Sequence, residues 1–261
     1  MFESVKELLT YRGMVGNFIK KEIRGKYKGS ILGFLWNFIV PLMQVVIYIM
    51  VFSLVFKPDI PSYPIYLIVG MIPWIFFSES LSGGTGSIVA NSSLVTKIYF
   101  PRTVLPIATT VSKFVNFVIS MIVALIVIIL IYNHGFNPMA IIIVPALMIM
   151  LFLFSLGFTM VLSAINAYYR DVEYIVGVAL MIFIWLTPIL YQRSSVDDPL
   201  LSTILKLNPM TYFVEAFDQI LYGLAVPDLN TFLICLGLTI ASIIIGWALF
   251  IHLDKDFAEV M

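Results

Sequence analysis

The stretch from Gly33 to Phe56 reads GFLWNFIVPLMQVVIYIMVFSLVF and holds no charged side chain. Its 24 residues exceed the roughly 20 apolar residues that a helix needs to cross a bilayer. The charged, helix-breaking sequence Lys57-Pro58-Asp59 follows directly and marks an exit from the membrane. We therefore predict a membrane-spanning helix at about residues 33–56.

Five further apolar stretches are separated by polar or charged segments. They predict spans at about residues 63–82, 104–132, 139–168, 174–191 and 229–253. Hydrophobic residues make up 61% of the 261 residues and charged residues only 11%, whereas a soluble domain carries about 25% charged residues. The prediction is an all-α polytopic membrane protein in which residues 1–261 form a single transmembrane domain with six transmembrane helices.

The basic residues are distributed unevenly between the two sides of this topology. Twelve Lys and Arg residues fall on the side of the N-terminus and three on the other side. Because cytoplasmic loops carry the excess of Lys and Arg, both termini are predicted to be cytoplasmic in a plasma (inner) membrane. The net charge is zero, so no global basic field indicates nucleic acid as a partner.

The N-terminal 30 residues carry seven basic residues among apolar ones. The apolar positions recur at helical spacing and are Phe2, Val5, Leu8, Leu9, Val15, Phe18, Ile19 and Ile23. This pattern predicts an amphipathic helix over residues 1–30 that lies in the membrane interface and contacts membrane lipids. A helix packed on a soluble partner is the alternative.

The segment over residues 192–228 is apolar for much of its length but is interrupted by Asn208-Pro209, Glu215 and Asp218. These interruptions argue against a full span. We predict short re-entrant helices at about residues 196–225, before the last span, covered by protein or by a water-filled cavity. An amphipathic surface loop is the alternative.

Sequence motifs for catalysis and metal binding are missing. The glycine-rich stretch at residues 83–87, GGTGS, is not closed by the Lys-Ser/Thr pair of a phosphate-binding loop. His134 and His252 lie on opposite sides of the predicted membrane and cannot share a metal ion, and the lone Cys235 cannot form an internal disulfide. We expect a chain that is not itself an enzyme, with no cofactor or metal of its own.

Ionisable residues inside the predicted spans are few, and Glu79 is the one candidate for a functional group. It falls near the end of its span, so a carboxylate that reaches the membrane interface is an equally good interpretation. Ion-driven transporters place carboxylates or histidines at mid-membrane. Their scarcity here indicates a pathway that is driven from outside the membrane.

Aromatic side chains form a stripe along the first predicted span. At about 100° per residue, one face of the helix collects Phe34, Phe38, Tyr48, Phe52 and Phe56. Such a stripe suits a substrate channel for sugars, because sugar rings stack on aromatic rings without fixed hydrogen bonds, and the fifth span adds Trp185. Contact with lipid or with a neighbouring helix is the alternative.

Residues 91–102 read NSSLVTKIYFPR and form a short cytoplasmic segment of mixed basic and aromatic character. A rigid apolar element that projects from the membrane suits mechanical coupling to a partner. An ordinary structural loop is the alternative, although such loops are usually more polar.

Several of these segments together resemble one family. The motifs are Lys26-Tyr27-Lys28-Gly29-Ser30, Leu32-Gly33-Phe34-Leu35-Trp36, Pro41-Leu42, Gly70-Met71-Ile72-Pro73-Trp74-Ile75-Phe76-Phe77, residues 91–102, Tyr169-Arg170-Asp171-Val172 and Asn208-Pro209-Met210. In this order and spacing they resemble bacterial polysaccharide-exporting ABC transporter permeases, which export O-antigen, capsule-type polysaccharide or teichoic acid. The resemblance covers nearly the whole chain.

The resemblance implies a six-span permease that forms a homodimer and binds two copies of a separate ABC ATPase subunit, which holds the ATP and Mg²⁺. It also implies re-entrant helices before the sixth span and a lipid-linked polymer as cargo. Coupling to the ATPase would run through residues 91–102 and, secondarily, through the loop near residue 170. The residues involved would be Leu94, Lys97, Ile98, Tyr99, Phe100, Arg102, Arg170 and Asp171.

These expectations combine into one hypothesis. The chain would be the transmembrane subunit of an exporter that moves an undecaprenyl-linked polysaccharide, such as O-antigen, outward across the plasma membrane. The basic residues Lys20, Lys21, Arg24, Lys26 and Lys28 would gather near the lipid pyrophosphate or would serve only as positive-inside anchors. One rival is a permease of the same architecture that exports teichoic acid, a drug or a small lipid; a rival of another class is a non-transporting membrane scaffold.

Overall fold

The computed structural model describes residues 10–25, 35–51, 60–131, 135–254 and 257. All regular secondary structure in these ranges is helical, which confirms the predicted all-α class. Parts of several predictions lie outside the described residues. These are residues 1–9 of the amphipathic helix, both ends of the first span, and the residues Lys26, Lys28, Phe34, Phe52 and Phe56.

The helices are numbered here in chain order. They are α1 (Arg12–Gly25), α2 (Trp36–Val51), α3 (Tyr63–Thr85), the single turn α4 (Ser92–Val95), α5 (Val104–Ile126), α6 (Ala140–Tyr168), α7 (Val172–Phe183), α8 (Pro199–Leu207), α9 (Pro209–Leu221) and α10 (Leu229–Leu253). A π-helical turn, Val127–Ile131, continues α5, and short 3₁₀ turns occur at Val89–Asn91 and Arg193–Ser195.

Within the described residues, four helices are long and apolar enough to cross a membrane. They are α3, α5 with its extension to Leu130, α6 and α10. Their bounds agree within a few residues with the spans predicted at 63–82, 104–132, 139–168 and 229–253. The first predicted span, 33–56, is described only over the 16 residues of α2, so its full length stays a prediction.

The fifth predicted span, 174–191, is only partly helical. Helix α7 has 12 residues and extends about 18 Å, short of the ~30 Å hydrocarbon core. Beyond Phe183 the chain continues through a series of turns. Six full spans therefore stay a prediction, and the regular helix that the sequence predicts to Tyr191 is absent from residue 184 onward.

Side chains from other helices satisfy the backbone of this irregular stretch. The Tyr66 hydroxyl lies 2.9 Å from the carbonyl oxygen of Pro188 and 2.7 Å from that of Tyr191, and Tyr63 donates to Leu190 at 3.1 Å. The Asn208 amide donates to the Leu186 carbonyl at 2.7 Å. Irregular backbone at membrane depth is tolerated only when protein groups satisfy it in this way.

Helix α3 occupies the centre of the bundle. It is buried on almost every side and contacts α2, α5, α6, α7 and α9. A helix that is apolar all round is typical of such a central position. Helix α10 instead packs mainly on α6 and leaves one apolar face exposed, which includes Leu233, Ile240 and Ile244.

Helices α6 and α10 approach each other very closely where small residues face one another. A Cβ added at Gly157 would overlap the backbone of Ser242, and one added at Gly246 would overlap the backbone of Gly157. The Ser242 hydroxyl donates to the Phe154 carbonyl at 2.7 Å. The Thr239 hydroxyl lies 3.2 Å from the Met150 carbonyl oxygen. Close packing of small residues and hydrogen bonds from hydroxyl groups hold helices together in membranes. The hydrophobic effect contributes little there, because the lipid is as apolar as the helix surfaces.

Two short helices occupy the segment predicted to be re-entrant, 196–225. Each begins with a capping residue and a proline: Asp198 accepts from the Leu201 amide at the start of α8, and Asn208 from the Met210 amide at the start of α9. Helix α9 packs against α3, α6 and α10, and Phe213 and Phe217 on it are fully buried. Helix α9 is thus a buried helix of the core and not a surface loop. Its entry into the membrane from the outer side stays a prediction.

The two ends of the described chain meet at one end of the bundle. A buried apolar cluster joins Phe18 on α1, Val95 and Phe100 after α3, and Phe250 and Phe257 at the end of α10. Tyr11, just before α1, joins this cluster together with Met14, Val15, Phe18 and Ile19. The four α1 residues form the apolar face of an amphipathic helix. The helix predicted at 1–30 is thus present over residues 12–25 and packs on the bundle.

Candidate functional site

The segment after α3 folds into a compact series of turns. Asn91 ends a 3₁₀ turn, α4 follows, and the Ile98 amide bonds to the Leu94 carbonyl at 3.0 Å. The Asn91 side chain donates to the Ser87 carbonyl at 2.8 Å. Local bonds therefore hold residues 91–98 in a fixed shape, as a mechanical contact requires.

This segment has an exposed side and a buried side. Ile98 is 54% exposed and Tyr99 80% exposed, and Lys97 beside them is also exposed. Phe100 is only 4% exposed, and Leu94 is half-buried. Of the residues predicted to couple to a partner within this segment, Lys97, Ile98 and Tyr99 are exposed.

The buried side of the segment rests on the amphipathic helix α1. The rings of Phe100 and Phe18 stack with their centroids 6.0 Å apart. The Lys21 ammonium donates to the Asn91 side-chain oxygen at 2.8 Å and lies 5.5 Å from the Phe18 ring centre. Residues 91–100 are therefore in direct contact with α1 through both an aromatic stack and a hydrogen bond.

The other end of the segment is tied to the end of α10. The Arg102 guanidinium lies 3.3 Å from Asp254 Oδ1, donates to the Asp254 backbone carbonyl, and stands 5.7 Å from the Phe257 ring centre. The Arg102 side chain therefore makes its contacts within this chain. Its role in coupling would be to hold residues 91–102 in position.

The second predicted contact, the loop after α6, lies at the same end of the bundle. Arg170 and Asp171 are exposed, as is Tyr169 at 70%. A Cβ built on Gly86 would lie 3.1 Å from a carboxylate oxygen of Glu173, so this loop borders the turn that follows α3. Both predicted contacts thus belong to one face of the molecule.

The predicted basic cluster is only partly described. Lys20 on α1 is exposed, whereas Lys21 bonds to Asn91. Arg24 lies within α1 but its side chain is outside the described set, as are Lys26 and Lys28 entirely. No geometry therefore tests a role near a lipid pyrophosphate.

The predicted channel residues are also partly described. Tyr48 on α2 is half-buried and packs against the main core, the side chain of Phe38 is outside the described set, and Trp185 is 54% exposed. Trp185 extends an apolar face of α7 whose exposed members are Tyr174, Ile175, Val178, Met181, Ile182 and Phe183. Among the described residues, this side of α7 is exposed.

Sequence reasoning missed an ion pair between two spans. The Lys113 ammonium on α5 lies 3.0 Å from Glu79 Oε2 on α3. The sequence placed Lys113 among the residues of the cytoplasmic side and Glu79 near a helix end. The available signal was the position of Lys113 inside the predicted span 104–132, because an ionisable residue within a span needs a partner.

A second acidic group lies at the opposite end, on α9. Burial raises the pKa of Asp218 well above its usual value, and the nearby Glu215 raises it further; the Oδ1 atom of Asp218 has no hydrogen-bond partner among the described residues. Glu215 pairs with Arg193 at 3.0 Å. Asp218 therefore holds its proton to higher pH than an exposed aspartate.

Metal binding finds no support among the described residues, where no three His, Cys, Asp or Glu side chains are grouped closely enough to hold an ion. The face around Ile98 and Tyr99 and the apolar side of α7 are instead exposed apolar surfaces.

The chain is similar to a known family over most of its length. Residues 15–222 match the family described as ABC-2 type transporter, and the chain belongs to this family. Within it, the chain is 34% identical over 264 residues to the O-antigen export system permease protein RfbA of Myxococcus xanthus, covering 99% of each chain.

Two other relatives carry related names. An O-antigen export system permease protein RfbA of Klebsiella pneumoniae is 28% identical over 92% of each chain. The polysialic acid transport protein KpsM of Escherichia coli is 23% identical over 75% of this chain and 76% of its own length. The similarity to the O-antigen permeases thus runs through nearly the whole sequence.

Proposed function

We propose that this chain is the permease subunit of an ATP-driven exporter that moves a lipid-linked polysaccharide of the O-antigen type outward across the plasma membrane. The observation that carries the proposal is the 34% identity over 99% of both chains to a protein named as an O-antigen export permease. Within the described part of the chain, four helices able to cross a membrane support it as a membrane component.

Energy would come from two copies of a separate ABC ATPase, which holds the ATP and Mg²⁺. The exposed Ile98 and Tyr99 support this part of the proposal, because large apolar side chains on a loop outside the membrane are typical of a protein contact. The stack of Phe100 on Phe18 would pass the motion on to α1. Arg170 and Asp171 would form the secondary contact.

Two copies of the chain would form the path. The support is the exposed apolar side of α7, where Met181 is 72% and Ile175 63% exposed. In the proposal a second copy covers this side, and Trp185 and Tyr48 lie toward the path. Helix α7 and the irregular stretch to Tyr191 would together make the fifth of six spans.

The orientation is part of the same proposal. The cluster that joins Phe18, Phe100 and Phe257 lies at the end of the bundle that carries Lys20, Lys21, Lys97 and most other basic residues. Under the positive-inside rule this end would be cytoplasmic, with both chain termini on that side. The undecaprenyl-linked glycan would enter there.

Deletion of this chain in its own cell tests the proposal. We expect the surface glycan to be lost while the same glycan, still attached to its lipid carrier, accumulates on the cytoplasmic side. Extraction of lipid-linked glycans and surface staining measure the two effects, and a plasmid copy should restore export. An unchanged surface glycan, or loss of a drug-resistance phenotype in its place, would overturn the assignment.

A further inference from the structure

The ion pair between Glu79 and Lys113 lies inside two helices that are each able to cross a membrane. Its nitrogen and oxygen are 3.0 Å apart, and the side chains are 35% and 18% exposed. Ionisable residues within spans are rare and mark substrate pathways by default. The two helices therefore cover the pair only in part, which leaves one side accessible to a ligand.

A polar stripe continues from the pair along α5. Lys113, Asn116 and Ser120 recur at i, i+3 and i+7, which places them on one helix face over about 10 Å. With Glu79 they line one side of a small cavity of about 30 Å³ between α3 and α5. The rest of its lining is apolar, from Ile72, Ile75, Phe76 and Phe117.

The cavity itself holds only about one water molecule, so a larger ligand would lie across its mouth. There it would meet one ammonium donor, one carboxylate acceptor, an amide and a hydroxyl. An ammonium binds phosphate oxygens. A carboxylate accepts hydrogen bonds from hydroxyl groups.

We propose that Glu79, Lys113, Asn116 and Ser120 form a membrane-embedded site for the junction between a diphosphate and its first sugar in a polyprenyl-linked glycan. Lys113 contacts the phosphate oxygens, and Glu79 accepts hydrogen bonds from the sugar hydroxyls. Without ligand the two charges neutralise each other, which allows the site to stand empty within the span. The inference rests on the proposed function and adds the place where the head of that substrate is held.

Binding of farnesyl diphosphate to the purified full-length chain tests the phosphate contact. Native mass spectrometry in detergent counts bound ligand, with farnesol and phosphatidylglycerol as the comparison ligands. We expect Lys113→Gln to weaken farnesyl diphosphate binding at least tenfold and Glu79→Gln, which frees the ammonium, to tighten it. Lys206→Gln, on the separate helix α8, is the matched control and should change nothing.

Three outcomes would overturn the proposal. In the first, Lys113→Gln and Glu79→Gln lose farnesyl diphosphate binding equally and the double variant regains it, which indicates a purely structural pair. In the second, farnesol binds as well as farnesyl diphosphate does. In the third, phosphatidylglycerol displaces farnesyl diphosphate as well as farnesyl diphosphate itself does, which indicates a general lipid contact. Should Lys113→Gln fail to fold, Lys113→Arg must retain binding and Glu79→Gln must still tighten it.

The binding test is independent of the deletion test. Should deletion leave the surface glycan unchanged, the proposed function fails whatever the variants bind. Should deletion abolish export while Lys113→Gln binds farnesyl diphosphate normally, the site alone fails.

Discussion

Two glycines set the distance between helices α6 and α10, and substitution at one of them has a predictable cost. We expect Gly246→Ala to destabilise the protein by about 1–3 kcal/mol, because the added methyl group meets the backbone of Gly157 in a closely packed contact. Thermal unfolding of the purified protein in detergent measures the effect as a lower melting temperature.

Gly237 on the same helix provides the control. A Cβ there meets nothing within 4 Å, so Gly237→Ala should be neutral or should stabilise by up to ~1 kcal/mol through better helix propensity. Equal losses in both variants would show that the contact between α6 and α10 is looser than described.

The hydroxyl of Tyr66 supports a further prediction. Tyr66→Phe keeps the ring but leaves the Pro188 and Tyr191 carbonyls without this donor, and a lost partner for a buried polar group costs ~1–3 kcal/mol. We expect a lower melting temperature and faster proteolysis within residues 184–191. Tyr174→Phe, at a ring that is 77% exposed, should change neither, and a matching loss there would contradict the role given to the Tyr66 hydroxyl.

At the residue scale, the sequence locates the candidate coupling residues but does not distinguish the exposed ones from the buried ones. Tyr99 and Phe100 are adjacent aromatic residues and were predicted to act alike, but one is exposed and the other is covered by Phe18. That difference depends on a contact with a residue some 80 positions earlier, which no local pattern contains. The ionisable residues Lys113 and Glu79 inside predicted spans are visible in the sequence, but their pairing depends on the packing of α3 against α5.

At the element scale, the segment of residues 91–102 gives a prediction that separates contact from support. Tyr99→Ala should reduce ATP-dependent export about tenfold, as expected for loss of an interface residue worth ~1.4 kcal/mol, while the melting temperature stays unchanged. Export and ATP hydrolysis by membranes that contain the co-expressed ATPase measure the coupling.

Phe100→Ala is the informative comparison. Removal of this buried ring should cost about 3–5 kcal/mol of stability and loosen α1, so export and melting temperature should fall together. Unchanged export in Tyr99→Ala, or unchanged stability in Phe100→Ala, would contradict the division of roles.

Hydropathy predicts the long elements but not the break in the fifth span. Apolar windows locate α3, α5, α6 and α10 because a bilayer constrains composition and length. The local signal for the break is Pro188, which cannot donate a hydrogen bond to the carbonyl of Ile184 and clashes with it in a helix. The path that the chain takes instead depends on Tyr63, Tyr66 and Asn208, which satisfy its backbone from distant positions. Hydropathy reports composition and contains no information on such bonds.

At the scale of the whole molecule, the exposed side of α7 predicts how two copies meet. In a cysteine-free background made by Cys235→Ala, Met181→Cys should form a covalent dimer in native membranes when a short bis-maleimide is added. Gel electrophoresis without reductant, with and without the reagent, measures the product.

Ile244→Cys on α10 is the matched control, since its side chain is 54% exposed on a helix that packs against α6 and α9. It should remain monomeric under the same treatment. Efficient cross-linking at residue 244 with none at residue 181 would move the interface from α7 to α10.

The tie between Arg102 and Asp254 spans 152 positions of sequence, and this has a consequence for synthesis. The segment around Ile98 and Tyr99 leaves the ribosome early, but its anchor is made only after the last span. In the proposed exporter, the surface offered to an ATPase would therefore be completed only at the end of translation. A chain that stops short of α10 would lack the Asp254 anchor of this surface, and we expect it to recruit the ATPase less well than the full chain.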